Sequence, residues 1–461
     1  MQNYAEFINQ SVDFPQAGFQ VRDDELYFHD INLMELLETY GTPLRFSYLP
    51  IISENIQRAK KLFHDAIRKH KYSGRYTYCY CTKSSHFSYV LEEALKNDIH
   101  LETSSAFDIP LIEALEKKGQ IAKDVLIICN GFKSEAYKQH IVDLIHDGFT
   151  NIIPVLDNKE EFFFYDDELD EPQKIGIRVA VEEQPDYHLY TSRLGIRADD
   201  VLSLYSDKIS QYPNFQVTLL HFFTQAGIHD TPYYWNELEK VVNLYCKFRK
   251  INPHLDTLNI GGGLPYRNSL FFEYDYEYMI GEIVSRIKAI CASYEVPEPN
   301  LITEFGSFTV AESQGILFRV IGRKMQNDRE KWLMINGSLM TSLPDIWALG
   351  QKYILLPVNN WDAGYERVVL GGITCDSQDY YSEDAHVNVV FLPKTRKVQY
   401  LGFFHTGAYQ ESLSGFGGIH HCLIPTPRHV LIRKNTDGGY AFEIFNEEQT
   451  SKQVLKILGY S

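Results

Sequence analysis

The stretch Tyr76-Thr-Tyr-Cys-Tyr-Cys-Thr-Lys83 decides how this chain is read. A run of β-prone, mostly apolar residues ends abruptly in a lysine, and Ser84-Ser-His86 then opens an amphipathic pattern. Strand, turn and helix in that order put Lys83 at the carboxyl end of a buried strand. In α/β barrels the loops at that end converge on one mouth and carry the working residues. A lysine held there is expected to lose solvation, which eases deprotonation and lets its amine attack a carbonyl. The alternative at this point is a lysine that closes a strand and snorkels to water.

Working outward, strand-like runs alternate with helical patterns: residues 77–81, 100–103, 125–129, 151–156, 175–181, 217–222, 257–260 and 301–304. The intervening segments, such as 87–95, 108–117, 137–147, 234–250 and 276–294, carry apolar residues at i, i+3 and i+4. Eight such repeats predict a (β/α)8 barrel over residues 43–315, with 43–48 as a strand leading to a helix from about 54 to 70. After about residue 315 the pattern changes to short runs (316–321, 331–335, 387–391, 398–404, 430–434, 440–444) separated by turn residues, with a closing helix over 447–458. Residues 316–461 therefore read as a β domain. Residues 1–42, which hold one or two strands and a helix over 32–40, are expected to join it.

Composition narrows the function classes. The 461 residues are 44% hydrophobic, ample for a large core, and the formal net charge is −17. So acidic a chain is a poor partner for nucleic acid or an anionic membrane. Seven cysteines without regular spacing give neither a disulfide framework nor a CxxC metal pair, so no metal site is assigned. Cys79 and Cys81 alternate along one strand and read as core or lumen residues. The amino-terminal residues lack a basic region followed by an apolar one, and no run reaches ~18 apolar residues. The expectation is a cytoplasmic protein.

Other strand ends add to Lys83. Gly261-Gly-Gly263 follows the seventh strand, where bare backbone can approach a phosphate and offer N–H donors, or simply turn. Glu304 ends the eighth strand with a carboxylate suited to a protonated pyridine nitrogen, or to a salt bridge at the rim. His221 ends the sixth strand and can stack on a ring or be a satisfied core histidine. Arg178 lies inside the fifth strand, where an unpaired cation is costly, so it needs an acidic partner, for which Glu304 is the first candidate. Lysine, carboxylate, glycine turn and histidine at the strand ends of one barrel are together the fittings of pyridoxal 5'-phosphate, a cofactor that acts as an electron sink.

With these residues in place, the chain resembles the alanine-racemase-fold (fold type III) pyridoxal-phosphate decarboxylases of basic amino acids, and within them the biosynthetic arginine decarboxylases. The resemblance spans roughly residues 43 to 430. It implies that Lys83 carries the cofactor, that Glu102 in Leu101-Glu-Thr-Ser-Ser105 lies beside it, and that His221 of His221-Phe-Phe-Thr224 stacks on its ring. Thr224, Gly261, Gly262, Gly263 and Tyr409 of Gly407-Ala-Tyr409 would take the phosphate, and Glu304 the pyridine nitrogen. Arg178 and Gly306 complete the cofactor-binding set. In the β domain, Thr374-Cys375-Asp376-Ser377 resembles the element that reaches a neighbouring subunit's site. There Cys375 would help return a proton to Cα and Asp376 would contact substrate. Ser342-Leu-Pro-Asp345-Ile-Trp347 resembles the arginine-decarboxylase specificity helix, with Asp345 binding substrate. Cys129-Asn-Gly-Phe-Lys133 and Gln410 match as well. The chain departs from the family at Ser307, where an arginine is usual, at Phe223 and at Thr224. The implied activity is decarboxylation of L-arginine to agmatine in polyamine biosynthesis, by a homodimer with shared sites or a larger assembly. Citrulline, ornithine and diaminopimelate are the alternative substrates, a racemase is a further rival, and a non-catalytic pyridoxal-phosphate protein is the rival from another class.

Overall fold

Eight parallel strands close into a barrel in the computed structural model, which describes residues 14–182, 191–328, 330–381 and 390–460. They are β1 (Tyr76–Cys81), β2 (His100–Thr103), β3 (Ile127–Cys129), β4 (Ile152–Leu156), β5 (Gln173–Ala180), β6 (Phe215–His221), β7 (Thr257–Asn259) and β8 (Asn300–Phe305). Each pairs in parallel with the next, and β8 pairs with β1 to complete the ring. All eight coincide with the runs read from the sequence. Helices connect them, and their ends are written locally. Ser134, Thr231 and Asp275 each accept a hydrogen bond from a first-turn N–H of the helix that follows, closing one of its orphan donors.

The barrel interior is layered by the strand period of two. Cys79, Ile128, Val155, Leu219 and Ile302 form an apolar cluster inside it. Two residues further along the same face of their strands stand Cys81, His221 and Glu304. The lumen therefore turns from apolar to polar within one step of the pleat, at the carboxyl ends. At Gly176 of β5, a Cβ would come 2.8 Å from Leu219 Cδ2 and 3.1 Å from Val155 Cγ2, so any larger residue would make these core side chains shift.

Contacts divide the chain into two compact units, one of Ile52–Pro265 with Tyr274–Thr309, the other of Met1–Ile51 with Tyr266–Glu273 and Val310–Ser461. The second is built on the strand Gln314–Met325, which pairs antiparallel with Lys331–Ile335, Tyr400–Phe404 and Leu44–Tyr48. Leu44–Tyr48 also pairs in parallel with Arg428–Lys434. This corrects the boundary drawn at residue 43. A strand followed by the helix Pro50–His70 has the local look of a barrel repeat, but its five buried residues pack in the β unit. Its buried Arg45 is answered there by Glu411, which also faces His429 and Gln314. Of the run expected at 387–391, residues 387–389 lie outside the described residues, and the strand Phe391–Pro393 pairs with Tyr365–Arg367. Among the described residues no helix is long and apolar enough to cross a membrane.

Candidate active site

Strand register, more than any loop, assembles the barrel's polar rim. Arg178, His221 and Asn259 are direct neighbours across β5, β6 and β7. Cys81 faces Glu102 across β1 and β2, and Glu304 of β8 lies beside Cys79 of β1. Because parallel strands fix these rows through backbone hydrogen bonds, four of the predicted residues (Glu102, Arg178, His221, Glu304) are set by register, and Lys83 joins them from the helical turn Thr82–Ser84 that follows β1.

Two carboxylates dominate the electrostatics. Glu304 Oε1 accepts from the amides of Asn130, at 2.8 Å, and Asn259. Its Oε2 lies 3.4 Å from His221 Nε2, outside hydrogen-bond geometry, and both His221 ring nitrogens are buried without a hydrogen-bond partner. Burial holds His221 well below the ordinary histidine range, aided by the cations Arg178 and Lys83, so the imidazole is neutral. Burial also pushes Glu304 up, against the pull of Lys83. Glu102 is fully buried and likewise pushed up, by desolvation and by the charge of Glu304, with Lys83 again opposing. Its Oε2 accepts from the Cys81 thiol at 2.6 Å, while its Oε1 is buried and unbonded.

Lys83 Nζ donates to Cys81 Sγ at 2.7 Å and to Glu102 Oε2 at 3.3 Å. The expected loss of solvation is not observed, since its side chain is 46% exposed in this chain. The other expectation to be corrected concerns Arg178. Among the described residues it makes no direct ion pair with Glu304. Burial lowers its affinity for its proton, and the acidic field opposing this comes first from Asp157 and only then from Glu304. Register explains why, since Arg178 and Glu304 sit on strands separated by β6 and β7.

The glycines are required by close approaches. A Cβ on Gly262 would come 2.5 Å from the Glu304 carbonyl, and one on Gly263 2.8 Å from Gly227 Cα, with Gly263 at φ +90°. Gly261 (φ +68°) would strike the Phe222 carbonyl, and Gly306 would overlap Ser84 Oγ. Thr224 closes the neighbouring turn, its Oγ1 donating to the Gly227 carbonyl at 3.2 Å.

The remaining predicted residues belong to the β unit, in two groups. Asp345 is buried on the short helix Pro344–Leu349, where its N–H donates to Gln410 Oε1 at 3.2 Å and its Oδ2 accepts from Gln410 Nε2 at 2.7 Å. Burial pushes its carboxyl up. Tyr409, just before Gln410, is held at φ +67°, a left-handed conformation that costs a tyrosine of order 1 kcal/mol. Cys375 and Asp376 lie in an exposed turn near His421 and Cys422.

A family model for pyridoxal-dependent decarboxylases, covering their pyridoxal-binding domain, matches residues 53–311. The chain belongs to the pyridoxal-dependent decarboxylases. Among curated relatives, the biosynthetic arginine decarboxylase of Shewanella frigidimarina is 21% identical over 93% of this chain and 86% of that one. The crystal structure of the biosynthetic arginine decarboxylase from Campylobacter jejuni superposes with a TM-score of 0.79 at 20% identity, covering 100% of this chain and 91% of that one. Diaminopimelate decarboxylase from M. jannaschii reaches the same TM-score at 18% identity, over 95% of this chain and 97% of that one. At these identities the structural likenesses establish the alanine-racemase-type fold.

The rim fits the cofactor of this decarboxylase family on its own terms. A buried neutral imidazole without hydrogen bonds suits a stacked ring. A carboxylate with one oxygen tied by two amides and the other beside His221 suits a protonated ring nitrogen. The half-exposed Lys83 side chain lets an aldehyde approach its amine. Sequence reasoning gave no role to Asn130 or Asn259, the two donors that orient Glu304. It also missed the fully buried ion pair of Lys133 with Glu161, at 2.8 Å. The signal was present in Cys129-Asn-Gly-Phe-Lys133, where amide and lysine follow a buried strand.

Proposed function

We propose that this decarboxylase removes carbon dioxide from L-arginine and releases agmatine, feeding polyamine biosynthesis in the cytoplasm. The observation that carries the substrate is Asp345, a buried carboxylate whose only side-chain donor among the described residues is a neutral amide, that of Gln410. A guanidinium is always charged and offers a fork of donors, so a pocket for it needs a carboxylate that no cation has already claimed. Relatives named arginine decarboxylase align along nearly the whole chain, which supports the same reading.

When bound, pyridoxal phosphate supplies the electron sink that allows a bond at Cα to break. Lys83 holds the cofactor covalently. Glu304 keeps the proton on the ring nitrogen, and Asn130 and Asn259 aim Glu304. His221 stacks against the ring. Thr224, Gly261, Gly262, Gly263 and Tyr409 take the phosphate, and Glu102, Arg178 and Gly306 complete the cofactor contacts. Cys375 returns a proton to Cα, Asp376 contacts the substrate, and Asp345 receives its far end. The protein works as a homodimer in which each β unit serves the partner's barrel, since an isologous contact makes the two sites equivalent.

Carbon dioxide release from arginine, citrulline, ornithine, lysine and diaminopimelate tests the substrate. Arginine should be preferred, and Asp345→Asn should weaken its kcat/KM by about 2–5 kcal/mol of transition-state binding while leaving citrulline nearly unchanged. A wild-type preference for citrulline, or arginine kinetics untouched by Asp345→Asn, overturns arginine and keeps the decarboxylase. Borohydride reduction should fix the cofactor to the Lys83 peptide. Mixing inactive Lys83→Ala with inactive Asp376→Ala under subunit exchange should restore activity, and no recovery with exchange verified rules out the shared site.

A further inference from the structure

Cys375 does not stand alone. Its Sγ lies 3.2 Å from Cys422 Sγ, and its peptide N–H donates to the Cys422 sulfur at 3.4 Å. His421 joins them, so that ligand atoms of Cys375, His421 and Cys422 all lie within 4.8 Å of one another. The Asp376 carboxylate sits 3.7 Å from His421 Nε2. Both turns that carry these residues are fixed by their own hydrogen bonds. Asp376 Oδ1 accepts from the Gln378 N–H at 2.8 Å, and Thr374 donates through its hydroxyl to Asp379 at 2.7 Å. Across the other turn, the Leu423 N–H donates to the His420 carbonyl at 3.0 Å. Cys422 and Leu423 are both held at left-handed φ, +55° and +54°, where neither residue goes without cause.

We propose that Cys375, His421 and Cys422 form a binding site for a thiolate-preferring divalent cation, Zn2+, with three protein ligands and an open fourth position. Two sulfurs and one imidazole are the ligand set that selects zinc over hard cations, and three protein ligands leave room for water or a substrate group. Zinc–sulfur bonds of ~2.3 Å in a tetrahedron put two thiolates roughly 3.8 Å apart, so exposed side chains need move little. The peptide N–H on sulfur and the carboxylate beside the imidazole are the outer partners that such a site uses to orient its ligands. On binding, the two thiol protons leave to solvent and both sulfurs become thiolates. A disulfide would use the two sulfurs alone and give no part to the His421 imidazole gathered beside them. Resting on the proposed function, a cation here ties up the Cys375 thiol that returns a proton to Cα, so zinc should be a reversible inhibitor.

The test uses reduced, metal-stripped holoenzyme titrated with Zn2+ against a chromophoric chelator, and with Co2+ followed by absorption in the red, where pyridoxal is silent. One equivalent per chain should bind, Co2+ should show tetrahedral bands, and Cys422→Ser and His421→Gln should each weaken zinc at least ~10-fold. Decarboxylation by wild type should fall with zinc and return with chelator, while Cys422→Ser should keep its basal rate and resist zinc. Equal affinity in wild type and both variants, an octahedral cobalt spectrum, or a Cys375–Cys422 disulfide in protein that takes no zinc once reduced would each overturn the site. Tight zinc binding by protein that decarboxylates no amino acid would uphold the site and remove the function assigned above.

Discussion

The barrel rim and the β unit hold their chemistry in different ways. At the rim, Arg178, His221 and Asn259 are aligned by backbone pairing, and Glu304 reaches the group because β8 closes on β1. In the β unit, Asp345 depends on Gln410 from a separate short helix, and Cys375 meets Cys422 across two turns. A register-built site tolerates changes of side chain without moving its neighbours, because backbone hydrogen bonds set the spacing. A site built from turns depends on each contact. The rim should therefore respond to substitution in chemistry, and the β unit in specificity and metal affinity.

The largest effect expected tests how far the rim depends on what lies beneath it. Lys133→Met leaves Glu161 buried without its cation and should destabilise the protein by about 3–5 kcal/mol in urea denaturation, with Lys133→Met/Glu161→Gln recovering much of it. If the single variant is as stable as wild type, the buried pair does not support β3 and β4. Next, Glu304→Gln should lower kcat by about 10²–10³-fold for every substrate tested, with little change in stability. A loss confined to arginine would place Glu304 with the specificity residues and erase the contrast.

Acid sharpens the comparison from the side of the β unit. Burial alone would raise the Glu411 carboxyl, yet His429 and Arg45 hold it down to about 2 from an ordinary 4.5. Its stabilisation is complete above pH 4.5 and lost as the pH falls toward 2, about 3 kcal/mol in all. His29 behaves differently, since burial, with help from His405, lowers it to about 4 from 6.5. The unfolded chain takes up that proton first, so His29 removes stability as the pH falls from 6.5 to 4. Unfolding free energies measured across this range should show both slopes, the lower vanishing in Glu411→Gln and the upper in His29→Phe. The smallest effect concerns an amide at the rim. Asn259→Ala should cost about 1 kcal/mol in kcat, since Asn130 still holds the same oxygen of Glu304. A loss as large as that of Glu304→Gln would make Asn259 more than an orienting group.

The same contrast decides what could be read in the sequence. Eight strands were legible because each repeat announces itself locally; Lys83, His221 and Glu304 stood out as candidates because each lies at or just beyond a strand's carboxyl end, whereas Glu102 was suggested by the family resemblance alone. Leu44–Tyr48 was misassigned because its partners lie at Gln314 and Arg428, and nothing within a short window distinguishes it from a barrel strand. Asn130 and Asn259 were given no role, because an amide shows its purpose only beside the carboxylate it feeds. The cluster of Cys375 with His421 and Cys422 was hidden by the separation of the two turns along the chain.

Leu44–Tyr48 also sets an order of events during synthesis. The strand emerges early but is flanked by Gln314–Leu317 on one side and Arg428–Ile432 on the other. At ~5–20 residues per second, roughly 20–80 s separate translation of this strand from that of its last partner. Throughout that interval at least the edge that Arg428–Ile432 will cover stays open, while every pairing of the barrel can be made once residue 305 has emerged. A nascent chain whose emerged part ends between residues 317 and 428 should thus contain a closed barrel and a strand still open along one edge, the species on which a chaperone would act.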